Sequence, residues 1–95
     1  MLIEKSIKLN EVITIKLTTG EELIARYQGE ESSSLNITKP IVLAAGAQGV
    51  GMVPWLMSGL PDTISINKDI VITHCSTQKE IADQYIQATT DIKLA

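Results

Sequence analysis

The chain has no phenylalanine, one tryptophan, two tyrosines, one cysteine and one histidine in 95 residues. Each shortage excludes something. One cysteine forms no internal disulfide and fits a reducing compartment. With a single histidine beside it, too few ligands exist for a zinc centre, and no metal or cofactor is expected. Basic residues are scarce as well: 8 Lys plus Arg stand against 11 Asp plus Glu, for a net charge of −3 and a pI near 5.0. That excludes a broad basic face for duplex nucleic acid, because such binding neutralises many phosphates at once. Long apolar runs are missing. The longest, Ile41 to Ala47, falls far short of the ~20 residues a membrane helix needs. Met1-Leu2-Ile3-Glu4-Lys5 reaches an acid before any apolar run forms, unlike a signal peptide. No membrane contact is expected, and the expected location is cytoplasmic.

What is present is branched and apolar. The chain holds 14 Ile, 9 Leu and 5 Val, with 9 Thr beside them, and 44% of it is hydrophobic. Disorder needs the opposite composition. Branched residues restrict χ1 and suit pleated strands better than helices. The length allows one domain, residues 1–95. A domain of this size buries only about 60–65% of its extended surface, so a lone copy is marginally stable and self-association is expected.

Period-two alternation marks the strands. In Val12 to Thr18, Ile13, Ile15 and Leu17 share one face, and Thr14, Lys16 and Thr18 share the other. Thr19-Gly20 offers a hairpin turn, and Glu22 to Gln28 returns with Leu23, Ala25 and Tyr27 on one side. The polar stretch Gly29 to Ser34 reads as a turn. Leu35 to Leu43 resumes a strand in which Pro40, unable to donate to a ladder, predicts a bulge or an edge. Ala44 to Gly51, with three glycines, reads as a loop, Met52 to Met57 as a fourth strand broken by Pro54, and Ser58 to Asp62 as a turn. Thr63 to Ile66, an Asn67-Lys68 corner and Asp69 to Cys75 complete the β region.

The tail changes period. Thr77-Gln78-Lys79-Glu80 fits a capping box. Ile81, Tyr85 and Ala88, flanked by Ala82 and Ile86, give one apolar helical face over residues 76–89. On that face Tyr85 reads as packing rather than as a platform for base stacking. Residues 1–11 form an arm in which Ile3 and Ile7 fit one helical turn or an extended segment. The predicted fold is mostly β: a small, strongly bent, five-stranded antiparallel barrel over 12–75 with a C-terminal helix. Gly29, Pro40 and Pro54 stand where bulges would bend the sheet.

In this order the residues resemble the Sm-like (Sm/LSm) superfamily, and in look the small Sm-like proteins encoded by marine (cyano)phages. The family's first motif alternates apolar residues up to a Leu, a Gly and a second apolar alternation. Ile13, Ile15, Leu17, Gly20, Leu23, Ala25 and Tyr27 follow it in register. Ser32, Leu35, Asn36 and Ile37 follow its Asp-x-x-apolar-Asn-apolar end with one extra residue near Gly29. Ile66-Asn67-Lys68 and Ile70-Val71-Ile72 match the second motif loosely. Three features depart from the pattern: Ser32 replaces the motif aspartate, Asn67-Lys68 replaces Arg-Gly, and the helix follows the barrel instead of preceding it. The competing architecture is a free-standing SH3-like or OB-type barrel.

The resemblance implies a homo-oligomeric ring in which one subunit's fourth strand pairs with the next subunit's fifth. The interface then involves Val53, Trp55, Ile70 and Ile72. It implies a role in nucleic-acid processing, with single-stranded RNA, more than DNA, as the partner. Asn36, Asn67 and Lys68 are the binding residues, and a phage-encoded protein would act in the host cell. The rival reading is a protein-binding or scaffolding ring without nucleic-acid affinity, which the acidic pI suits. Trp55 fits a core position as well as an interface, and Asn36 could simply bond its own turn.

Catalysis has little support. His74 and Cys75 are strand neighbours that point to opposite faces, so they cannot form a dyad. Glu21-Glu22 and Glu30-Glu31 read as solvated turn charges. Gly46 to Gly51 lacks the Lys-Ser/Thr of a phosphate cradle. No enzyme activity is expected.

Overall fold

The computed structural model describes residues 6–47, 49–56 and 62–90. Its strands are β1 (Val12–Leu17), β2 (Glu22–Glu30), β3 (Ser34–Gly46), β4 (Gly49–Pro54), β5 (Ile64–Asn67) and β6 (Val71–Ser76). A 3-10 turn, Lys68–Ile70, joins the last two, and the helix α1 (Lys79–Thr90) closes the chain. They form one antiparallel sheet in the order β4-β3-β2-β1-β6, with β5 pairing the first half of β3.

The fold is mostly β, as the composition predicts, with one C-terminal helix, as the change of period in the tail predicts. The sheet bends strongly and does not close. Three bulges interrupt its ladders among the described residues, one in β6 at Ile72, opposite Lys16 and Leu17, and two where glycine and proline stand. Between Thr38 and Ile41, β3 carries one residue more than β2 opposite it, at Lys39-Pro40, and Lys39 takes a left-handed φ of 50°. Between Tyr27 and Glu30 the surplus residue lies on β2, where Gly29 has φ 94°. Each surplus residue forces a local kink and extra twist.

Two layers of side chains result. Ile13, Ile15 and Leu17 meet Leu23, Ala25, Tyr27, Leu35, Ile37 and Ile66 on the concave side, every one buried. Each such side chain contributes roughly 1.5–3 kcal/mol of burial. Behind the sheet, Val12, Ile24 and Ile41 pack against Tyr85 of α1. The apolar helix face predicted from spacing is therefore the lid of a second core. Tyr85 is fully buried, and its hydroxyl donates to the carbonyl of Lys39 at 2.7 Å, which ties the helix to the bulge.

Several expectations need correction. There are six strands among the described residues, not five, because the Asn67-Lys68 corner tightens into a 3-10 turn. That turn sends Ile64–Asn67 to β3 and Val71–Ser76 to β1. Ala44 to Gly51 is not a loop but mostly a hairpin, pairing Ala44 with Gly51 and Ala45 with Val50. Ladder bonds come from the backbone, and small residues leave them intact. The fourth strand accordingly runs Gly49–Pro54 instead of 52–57, with Pro54 at its end. The helix begins at Lys79 rather than 76. The Thr77 hydroxyl is bonded to that of Thr14 at 2.9 Å, and the Gln78 carbonyl accepts from the Ala82 N–H at 2.8 Å. In the arm, Ile7 packs against the concave core, and residues 6–11 hold no helix. Ile3, Met57 and most of the predicted 58–62 turn lie outside the described residues.

Candidate nucleic-acid interface

The predicted binding residues fall into two places. In the β3–β5 ladder, Asn36 lies opposite Ser65 and Asn67 opposite Ser34, while Leu35 and Ile37 face Ile66 and Ile64. Strand alternation puts the four polar residues on the outward side and the apolar set in the core. Asn36 and Asn67 are thus diagonal neighbours on one surface, a spacing of roughly 7–8 Å. Each amide is held. Asn36 Oδ1 accepts from the Ser65 hydroxyl at 2.7 Å, and Asn67 Oδ1 accepts from the Asp69 N–H at 2.8 Å, capping the 3-10 turn. Both bonds use the amide oxygen, so the Nδ2 groups carry the donors that could meet acceptors on an unpaired base.

Lys68 turns elsewhere. Its ammonium lies 2.8 Å from Glu30 Oε1, at the mouth of an open cleft of about 330 Å³ lined by Leu35, Val71 and His74 among others. Asn36 and Asn67 do not line that cleft. Glu30 Oε2 in turn accepts from the Tyr27 hydroxyl at 3.0 Å. The Lys68 hydrogen bond, then that of Tyr27, holds the Glu30 carboxyl below the usual carboxylate range. Burial, reinforced by the carboxylate beside it, pushes the Tyr27 hydroxyl up.

His74 stands opposite Ile15 and Cys75 opposite Thr14, so the two occupy opposite faces of β6. His74 Nδ1 is buried and makes no hydrogen bond among the described residues. Cys75 is exposed.

Of the interface residues, Val53, Ile70 and Ile72 are exposed at 42%, 36% and 62%, while Trp55 is half-buried against the concave core. Neither edge strand, β4 or β6, contributes a buried residue. Among the described residues, each pairs with a strand on one side only.

The sequence reading missed Glu30 and Tyr27. It placed Glu30 in a solvated turn, but the left-handed Gly29 lets β2 run on to Glu30, opposite Leu35. The glycine two residues beyond Tyr27 was the available signal.

No protein-family model matches the chain, and the search of curated proteins found no match either.

Proposed function

We propose that the chain assembles head to tail, β4 of one copy against β6 of the next, into a homo-oligomeric Sm-like ring that holds single-stranded RNA. The observation that carries the assembly is the pair of open edges at opposite ends of one sheet, both bearing exposed aliphatics: Val50 and Val53 on β4, Ile72 on β6 with Ile70 beside it. Unpaired edges of this kind attract other strands, and a contact between two different patches generates a ring where its rotation closes. In the assembled ring, Asn36 and Asn67 read base edges, and repetition around the ring supplies avidity that one site lacks. No aromatic residue lies on the β3–β5 polar face, so stacking, worth about 1–3 kcal/mol per base, does not contribute there.

A second reading, a scaffolding ring that binds protein, is favoured by the net charge of −3 and by the pairing of Lys68 with Glu30. Labelled oligo(U) and oligo(A) titrated against the assembled protein separate the two. Binding that Asn36→Ala and Asn67→Ala weaken severalfold without disturbing assembly supports the RNA reading. Binding of neither oligonucleotide leaves the scaffold.

A further inference from the structure

We infer that Glu30 is a built-in counter-ion that competes with the nucleic-acid backbone for Lys68, so that the site recognises bases with little help from phosphate. This rests on the single-strand reading above and names what governs that site.

Lys79–Asp83 shows what an ordinary ion pair looks like here: both side chains are mostly exposed, at 86% and 60%, along one helix face. Such pairs form and break freely. Lys68–Glu30 is built differently. The two side chains are 35% and 36% exposed, and they come from the far end of β2 and from the 3-10 turn. The second carboxylate oxygen is occupied by Tyr27, a core residue only 8% exposed. The Gly29 bulge places Glu30 opposite Leu35 at the lip of the cleft. The carboxylate is therefore held from behind by a rigid donor and in front by the ammonium.

A phosphate reaching Lys68 must displace that carboxylate or share the ammonium with it against like-charge repulsion. Either way the phosphate meets an ammonium that is already neutralised, so the contact adds no net positive charge and does not drive release of the cations condensed on the nucleic acid, which is the source of phosphate-driven affinity and its salt dependence. What remains is the outward amide pair, Asn36 and Asn67, whose hydrogen bonds to base edges depend little on salt.

The test is the salt dependence of oligo(U) and oligo(A) binding to the intact oligomer, followed by fluorescence anisotropy between about 50 and 200 mM salt. Glu30→Gln keeps an acceptor for Tyr27 while removing the charge. It should tighten binding about five- to tenfold at the lower salt and steepen the log–log slope by about 0.7 for each Lys68 engaged. Glu30→Asp, which keeps the charge, should hold the parent's slope. Adding Lys68→Met to Glu30→Gln should erase the gain. A parent that binds but whose slope does not steepen in Glu30→Gln overturns the counter-ion and leaves the RNA reading standing. If neither the parent nor Glu30→Gln binds either oligonucleotide, the RNA reading falls and the counter-ion falls with it.

Discussion

The middle of the sheet and its edges are made of similar residues put to opposite uses. β1, β2 and β3 supply eleven of the thirteen buried hydrophobics among the described residues, with Ile66 and Tyr85 completing the set. β4 and β6 supply none, although Val50, Val53 and Ile72 are as apolar as anything inside. In the proposed ring, the aliphatic residues left outside on these two edge strands would lie against another copy. On the proposed assembly, the difference separates stability, which resides in the central strands, from association, which would reside at the rims.

Substitutions should respect that division. Ile15→Ala, fully buried between both sides of the concave core, is expected to cost about 2–5 kcal/mol in urea unfolding. Ile72→Lys, on the exposed edge, should leave the unfolding of the separated subunit within about 0.5 kcal/mol while it abolishes assembly in size-exclusion chromatography. If the edge variant loses as much intrinsic stability as the core variant, the division between middle and rim is false.

A smaller effect sits at the bulges. Gly29 adopts φ 94°, where an added Cβ meets only Leu9 Cδ2 at an ordinary 3.8 Å. The cost of Gly29→Ala is therefore conformational, about 1–2 kcal/mol by thermal or chemical unfolding. A larger loss would point to crowding instead.

The helix lid offers the next test. Burial pushes the Tyr85 hydroxyl to about 12, against the smaller opposing influence of Arg26. Its folded pKa exceeds its unfolded value, so the neutral phenol's contribution is complete below about pH 10 and is lost as pH rises from about 10 through 12. Tyr85→Phe loses the bond to Lys39 and should cost about 1 kcal/mol at neutral pH. Its stability should also decline less than the parent's across that alkaline range.

The smallest effect belongs to Glu30, whose carboxyl sits below its usual range because of Lys68 and Tyr27. Its contribution is present above the unfolded carboxylate range, about 4.3, and is lost as pH falls through the lowered folded value. Carboxyl chemical shifts in an acid titration should show Glu30 titrating below the usual carboxylate range, and in Lys68→Met that lowering should shrink.

The same contrast explains what could be read without coordinates. Ile13, Ile15 and Leu17 were legible because a strand's period of two writes its buried face into the chain. The bends were legible because Gly29 and Pro40 carry backbone restrictions that only bulges and turns accommodate. Ile24 was not assigned to a core, because its face is covered by a helix from the far end of the chain and alternation alone does not announce a second layer. The tip of the β3–β4 hairpin was missed because alanine and glycine carry no strand signature, although their backbones pair as well as any. Asn36 and Asn67 were chosen by resemblance. That they share a face follows from the β3–β5 register, which strand pattern does not specify. The Glu30–Lys68 pair depends on where a single surplus residue falls in β2.

Mass measured by light scattering, coupled to size exclusion at micromolar concentration, tests the central claim most directly. The account predicts that the parent elutes as one closed oligomer of fixed subunit number and that Ile72→Lys elutes as a folded monomer. A parent that is monomeric under those conditions, or an Ile72→Lys variant that assembles as the parent does, contradicts it.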